Sequence, residues 1–343
     1  MPSGFSVEVF ATGITGARML AIADDGTVYV TRPAAGEVAM LRPAGGSSVP
    51  AAVGMPGVHG IAIHDHRVYL ATTREVSVAD IQNDGSLGQR TVIVSNLPDG
   101  GQHAARTIGI GPDNMLYISV GSDCNACGEP DGEHATMLRA PLAGLSSSPR
   151  EVFARGLRNT IGFDWSPQSL ELWGMDNGID YIGDEDPPEE LNRIVQGGDY
   201  GWPFRFGNNR VNRLFDRVRI SQAEFEKPTS APALIYAAHA APIGMVFYTG
   251  TQFPAEYQGS AFVAFHGSWN RANPTGYKVA RVVFKDGTPD RFEDFLTGFL
   301  VANGAAQIGR PAGLAVAKDG ALLVSDDSNG VIYRITYSSV KTS

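Results

Sequence analysis

Residues 18–30, Arg18-Met-Leu-Ala-Ile-Ala-Asp-Asp-Gly-Thr-Val-Tyr-Val30, hold an apolar run, an Asp/Gly turn and a second apolar run. The pattern returns as His59-Gly-Ile-Ala-Ile-His-Asp-His-Arg-Val-Tyr-Leu70, Arg106-Thr-Ile-Gly-Ile-Gly-Pro-Asp-Asn-Met-Leu-Tyr-Ile118 and Ala312-Gly-Leu-Ala-Val-Ala-Lys-Asp-Gly-Ala-Leu-Leu-Val324. A strand-turn-strand unit cannot bury both faces alone. Repeated at intervals of tens of residues, it stacks on its own copies, and the usual closed solution for β units is a propeller. Inner strands are expected to begin near Met19, Gly60, Thr107, Thr160, Ile243 and Gly313. Phe5–Phe10 and Gly330–Tyr337 both alternate apolar and polar residues, which is the period of a half-buried strand. They are expected to pair and close the ring.

The fold expectation is therefore an all-β, six-bladed β-propeller whose last blade is closed by the N-terminal strand, with residues 1–343 forming a single domain. A stretch rich in Asp, Glu, Pro, Asn and Arg, at about 176–235, reads as an irregular insertion. Only Pro187-Pro-Glu-Glu-Leu-Asn192 and Gln222–Phe225 carry enough helical character for a turn or two.

Composition narrows the function classes. Charged residues are 18% of the 343, against 41 Gly and 21 Pro, a turn-rich β balance rather than a coiled coil or a disordered chain. The net charge of −9 gives no nucleic-acid footprint. No run of eighteen apolar residues exists, so no membrane span is expected. Met1-Pro2-Ser3 leads directly into strand-like sequence, so no signal peptide is expected within it, and Met1 is either a native start or a start placed after a removed export signal. The expected location is periplasmic or secreted, with the export signal absent from this sequence. Cys124 and Cys127 are the only cysteines. Gly128 follows them where covalent haem attachment needs His, and one pair is too few for a four-thiolate zinc site. A local disulfide fits an oxidising compartment; a reduced, inert pair is the alternative.

In a propeller the residues before each inner strand surround one axial channel. Here they include Arg18, His59, His103, Arg106, Arg158, Asn159 and Arg310, a cationic and hydrogen-bonding ring that calls for an anionic ligand. Guanidinium groups pair carboxylates bidentately, which suits Arg158 and Arg310. They could equally bind backbone carbonyls in the channel. His103 at a channel mouth can serve as a general base near neutral pH. His239 precedes the fifth inner strand, and His266-Gly-Ser-Trp269-Asn270-Arg271 follows the strand-like Ala261–Phe265. His266 and Trp269 could hydrogen-bond and stack on a flat ligand, or Trp269 could cap a core. Asp176–Asn192 is the densest run of oxygen ligands. It suits Ca²⁺ but lacks the EF-hand spacing, and a solvated acidic loop is the alternative. There is no P-loop and no G-x-S-x-G nucleophile elbow.

Together these segments resemble the soluble quinoprotein sugar dehydrogenases, and within them the sorbosone dehydrogenase-like branch. The carrying residues are His103…Gly111-Pro-Asp113…Leu116–Gly121, Gly156-Leu-Arg158-Asn159-Thr-Ile-Gly162, Asp186–Asn192 with Gly197-Gly-Asp-Tyr-Gly-Trp-Pro203, His266–Arg271, and Gly309-Arg310-Pro…Asp319-Gly320. The resemblance runs from about residue 16 to 337 and implies a propeller that binds pyrroloquinoline quinone (PQQ) and Ca²⁺. It places the catalytic histidine on His103 and the quinone-binding pair on Arg158 and Asn159, with a further arginine at Arg310. Asn177 and Gly178 fall near its calcium-binding carbonyls. His239 and His266 fall at further polar contacts to the quinone; His59 and Trp269 complete the candidate cofactor set. Two positions differ. Ser122 stands where glucose-oxidising members have the Asp that orients the histidine, and Ala312 stands in place of a second arginine.

The implied function is PQQ- and calcium-dependent oxidation of a sugar or sugar aldehyde. His103 takes the hydroxyl proton while hydride passes to the quinone, and a separate electron acceptor follows, since no haem motif is present. The alternatives are a calcium-dependent propeller hydrolase of lactonase type, which would need carboxylates at the strand entries, and a propeller binding module without catalysis.

Overall fold

A computed structural model describes residues 1–142, 149–214 and 226–338. Six sheets of four or five strands form the blades, in chain order. Blade 1 comprises Leu20–Ile22, Val28–Arg32, Glu37–Leu41 and Val49–Ala52, and blade 2 comprises Gly60–His64, Arg67–Ala71, Val76–Asp80 and Thr91–Val94. Blade 3 holds Ile108–Ile110, Met115–Val120, Thr136–Pro141 and Glu151–Arg155, and blade 4 holds Thr160–Trp165, Leu172–Asp176, Glu189–Ile194 and Leu234–Tyr236. Blade 5 runs through Pro242–Phe247, Ala261–Phe265, Lys278–Lys285 and Thr288–Leu296. Blade 6 takes Pro311–Val316, Leu322–Asp326 and Val331–Tyr337, then Phe5–Ala11 from the other end of the chain.

The core is a ring of sandwiches rather than one central mass. Each pair of neighbouring blades encloses its own apolar cluster. Tyr69, Val76, Ile108, Leu116, Ile118 and Leu138 fill the gap between blades 2 and 3. Phe10, Leu20, Val30, Leu323 and Ile332 fill the one between blades 6 and 1. Near the axis the inner strands approach too closely for side chains. A Cβ on Gly313 would lie 2.2 Å from the Arg18 carbonyl oxygen, and one on Gly244 would lie 2.2 Å from that of Ala312.

Closure follows the expected pairing. Phe5 lies opposite Tyr337, Val7 opposite Ile335 and Val9 opposite Tyr333, with a bulge before Ala11. The Phe5 ring meets Phe253 at 4.8 Å and Tyr257, Phe295 and Tyr337 at 5.0 Å, each near edge-to-face. The N-terminal strand thus locks blade 6 to blade 5 as well as completing it.

The expected helical turn at 187–192 is not formed. Glu189–Ile194 is instead the third strand of blade 4, paired on one side with Leu172–Asp176 and on the other with Leu234–Tyr236. Two waiting strand edges outweigh a weak helical preference that Pro187 and Pro188 already oppose. Blade 4 therefore draws two strands from the stretch read as irregular. The remainder carries short pairs, including Gly198–Asp199 parallel to Ala154–Arg155 of blade 3. Gln222–Phe225 lies outside the described residues.

Glu190 stands opposite Asp176 in the blade 4 register and is 7% exposed. Burial, then the Asp176 carboxylate, raises its pKa to about 8. Its oxygens accept from Gly207 N at 2.5 Å and Asn192 Nδ2 at 3.1 Å. A free glutamate titrates near ~4.3. Between that pH and about 8 the folded state keeps a proton that the unfolded state has released, so stability declines as pH rises through this window. Glu190→Gln is expected to flatten the decline. Melting temperatures from pH 5 to 9 check this, and parallel curves for variant and wild type refute it. Phe5→Ala is expected to lose about 2 kcal/mol in urea unfolding, below the scale of removing a fully buried aromatic ring because Phe5 is only partly buried. A loss under roughly 0.5 kcal/mol, the scale of an ordinary surface change, would show that closure does not depend on that ring.

Candidate active site at the channel face

In an antiparallel hairpin the start of the first strand and the end of the second share one edge. Each blade therefore presents two kinds of position on the same face. Arg18, His59, His103, Arg158, His239 and Arg310 come from segments entering first strands, while Ser122, Asn177, His266 and Asp327 follow second strands. Of these exits, Ser122, Asn177 and His266 already stand out in the sequence, and Asp327 does not.

His103 is set by a main-chain group. Its Nδ1 lies 2.7 Å from the Ser122 carbonyl oxygen. That oxygen can only accept, so Nδ1 carries the proton and Nε2 keeps its lone pair. This is the position where the resemblance implied an Asp; the backbone of Ser122 orients the ring instead. Burial, then the Arg158 charge, lowers the His103 pKa to about 4, against an opposing pull from Asp180. Gly121 makes the site compact, since a Cβ there would lie 2.6 Å from His103 Cβ and 2.8 Å from Asn159 Oδ1.

Arg158 is 4% exposed. Its Nε donates to Asn125 O at 3.0 Å, Nη1 to Asn177 O at 2.9 Å and Nη2 to Asn125 Oδ1 at 3.1 Å. Its guanidinium carbon lies 5.4 Å from the centre of the Trp202 ring. Asp176 anchors the backbone beneath, accepting from Arg158 N at 2.9 Å, Asn159 N at 2.8 Å and Thr160 Oγ1 at 2.7 Å. Burial, despite these bonds, lifts the Asp176 pKa to about 6. Asn177 Nδ2 braces Asn159 O and Pro242 O, both at 2.9 Å. Gly178 N donates to Glu189, whose pKa burial raises to about 7. His239, at φ 65°, donates from Nε2 to Gly183 O at 2.7 Å, and its Nδ1 lies 3.6 Å from Asp180.

A second group forms around Asp327. Its carboxylate accepts from His266 Nε2 at 2.9 Å and bonds Arg18 on the other side. Burial works to raise the Asp327 pKa, but the His266 bond and the Arg18 charge prevail and hold it at about 2. Arg18 Nε also reaches His59 Nε2 at 3.5 Å. His59 is buried, and that burial, with Arg18 beside it, lowers its pKa to about 3. Arg310 donates from Nε to His266 O at 3.0 Å and from Nη2 to Gly267 O at 2.6 Å.

The candidate residues therefore fall into two sets. Arg158 and His239 approach Asn125 and Asp180, with His103, Asn159 and Asn177 beside Arg158, and Arg310, His266, Arg18 and His59 gather around Asp327. Arg106 leaves the expected ring. It is fully buried and donates to the carbonyls of Pro98, Asp99, His103 and Ala105, clamping the loop before His103. Trp269 is 69% exposed and is joined to the first set through Asn270 Nδ2, which donates to Asp180 O at 2.8 Å. Away from Asn177 and Gly178, ligand atoms of Asp99, Asp123 and His134 lie within 4.8 Å of one another on loops beside His103.

The arginine chemistry suits an anion with several carboxylates. Arg158 uses three of its five N–H groups on protein oxygens, and Arg310 uses two. The carbonyl of Asn177 faces the Arg158 guanidinium at 2.9 Å, so a cation sharing that oxygen would need an anionic ligand between the two charges.

Three relatives share this architecture or sequence. An uncharacterized protein of Borreliella burgdorferi is 30% identical, covering 99% of this chain and 91% of that one. A pyrroloquinoline quinone-dependent sugar dehydrogenase of Hypocrea jecorina is 23% identical over 98% of this chain and 89% of its own. The holo form of the pyranose dehydrogenase PQQ domain from Coprinopsis cinerea superposes with a TM-score of 0.84 at 22% identity, covering 98% of this chain and 96% of that one. The TrAA12-like family model matches residues 1–338, so the chain belongs to the TrAA12-like family and, with it, to the quinoprotein sugar dehydrogenases that its motifs resemble.

Proposed function

We propose that this protein is a PQQ- and calcium-dependent dehydrogenase oxidising a sugar or sugar aldehyde of the aldose or sorbosone type, with His103 as general base. The observation that carries the reading is the state of His103. Its proton is held on Nδ1 by the Ser122 carbonyl, and burial keeps the ring neutral at ordinary pH. Its free Nε2 therefore accepts the proton of a substrate hydroxyl. The family and the relative named as a PQQ-dependent sugar dehydrogenase support the cofactor.

Arg158, Asn159 and Arg310 would hold PQQ carboxylates and carbonyls, with His239, His266, His59 and Trp269 as further contacts, while the carbonyls of Asn177 and Gly178 would hold Ca²⁺. When bound, PQQ supplies the hydride acceptor and Ca²⁺ polarises its carbonyl. The protein positions the hydroxyl against Nε2 of His103 and holds positive charge where the anion sits. The reading takes the whole chain as one propeller working with a separate electron acceptor. It places the chain in the periplasm or outside the cell, in keeping with the Cys124–Cys127 disulfide. A hydrolytic reading is weaker, because the nearby carboxylates are engaged. Asp176 accepts three bonds from residues 158–160, and Glu189 accepts from Gly178 N and Ala241 N.

His103→Ala is expected to bind PQQ normally yet lose roughly 10²–10⁴ in turnover, the usual worth of a positioned base. Dye-coupled kinetics with a sugar panel check this, and wild-type turnover in the variant overturns the assignment. In the wild type, kcat/KM is expected to fall as pH drops toward about 4, because protonated imidazole accepts nothing. Arg158→Ala is expected to weaken PQQ binding by about 10- to 100-fold, the scale of a lost charge-assisted bond. Equilibrium dialysis measures this, and an unchanged affinity removes Arg158 from the anchoring set.

A further inference from the structure

The loop from Ser122 to Glu129 belongs to none of the expected cofactor, metal or catalytic positions, yet both halves of the first residue set hang on it. The Cys124–Cys127 disulfide closes it, with Cα atoms 5.9 Å apart. At its start, Ser122 O receives His103 Nδ1 at 2.7 Å, and Ser122 Oγ donates to Cys124 O at 2.8 Å. Inside the ring, Asn125 makes an unusual number of bonds. Its N–H donates to Gln102 Oε1 at 2.5 Å, and its Nδ2 donates to Asp180 Oδ2 at 2.5 Å. Its Oδ1 accepts from Asp180 N at 3.0 Å and Arg158 Nη2 at 3.1 Å, while its carbonyl accepts from Arg158 Nε at 3.0 Å. At the far end, Glu129 Oε2 accepts from Asp123 N at 3.0 Å, and its Oε1 bonds the Trp202 indole that lies against Arg158.

Two of the three protein bonds to the Arg158 guanidinium therefore come from one residue, and that residue sits inside a four-residue disulfide ring. Asn125 can hold a buried cation in one orientation only while its own backbone is held. The cross-link removes the conformational freedom that would otherwise let the loop relax. Cys124 and Cys127 are only partly buried, so a small thiol can reach them.

We propose that the Cys124–Cys127 loop is a redox-sensitive clamp, in which Asn125 is the positioning residue for Arg158 and the oxidation state of the loop sets affinity for the carboxylate-bearing cofactor. This rests on the functional reading above. Switching needs an external dithiol. Its thiolate attacks one protein sulfur, the Cys124–Cys127 bond breaks, and a mixed disulfide forms. The second external thiol resolves that intermediate. The external dithiol is oxidised to its disulfide, and two electrons and two protons end on the protein as two thiols. With the ring open, Asn125 loses its orientation, Arg158 loses two acceptors, and the Ser122 carbonyl that orients His103 is released in the same step.

The test is PQQ binding by the apo-protein with Ca²⁺ present, read by quenching of intrinsic tryptophan fluorescence, so that no turnover is required. Asn125→Ala is expected to raise the PQQ Kd about tenfold, the scale of a weakened bond to a charged group. Dithiothreitol treatment of the wild type should raise it similarly, with recovery on reoxidation by oxidised glutathione. The Cys124→Ser/Cys127→Ser double variant should start at the raised Kd and ignore dithiothreitol. Should that variant not fold, the reduced wild type and Asn125→Ala carry the test, with circular dichroism confirming the fold. Asn125→Ala should add nothing in an Arg158→Ala background, because both act through one guanidinium. A purely structural role for Asn125 would give additive losses. Unchanged PQQ affinity in both Asn125→Ala and the reduced wild type overturns the clamp alone. Absence of PQQ binding by the oxidised wild type overturns the functional reading and the clamp with it.

Discussion

The pairing of Phe5–Ala11 with Val331–Tyr337 is the contact on which the channel face depends. It is the one sheet made from both ends of the chain, and it turns a row of stacked hairpins into a ring. The Phe10, Leu20, Leu323 and Ile332 cluster between blades 6 and 1 exists only once it forms. So does the approach of Gly313 to the Arg18 carbonyl at the axis. Arg18 and Asp327 are 309 residues apart in sequence and bonded in space. An open row of blades would leave them at opposite ends. Chemistry that needs groups from several blades inherits this long-range closure, and its loop-entropy cost with it.

Within the ring, buried charge is managed by main-chain groups more than by ion pairs. Arg158 leans on two backbone carbonyls and one amide oxygen, with its acidic neighbours at longer range. Asp176 and Glu189 are met by backbone N–H groups, with the Thr160 hydroxyl added at Asp176, rather than by direct salt bridges. A cation held this way retains its charge for an incoming anion. Pairing it tightly with a carboxylate would cancel the field the ligand must meet. The Asp327 group combines two plans: Arg18 and His266 share one carboxylate directly, while Arg310 rests on the main-chain carbonyls of His266 and Gly267.

Much of this was legible in the residue order. The hairpin repeats, the alternation at both ends and the six strand entries describe a local pattern, and hydrophobic period is set residue by residue. The basic entries Arg158 and Arg310 could be read for the same reason. Glu189–Ile194 could not, because its strand state comes from two neighbouring edges rather than from its own preference. Arg106 looked like its neighbours in the ring. Its full burial follows from the carbonyls that the 98–105 loop happens to point inward.

Blade count, ring closure, the cationic character of the channel entries and the cysteine pair follow from sequence alone, because each depends on periodicity, spacing or residue type. The tautomer of His103, the hub formed by Asn125 and the coupling of Arg18 to His266 through Asp327 were decided only by the tertiary structure. The first joins the entry and the exit of blade 3, and the other two join an exit of one blade to groups of another. The carbonyl of Ser122 shows the distinction most plainly. A backbone oxygen has no letter in the sequence, so its replacement of an expected carboxylate beside His103 emerges only when the chain has folded around it.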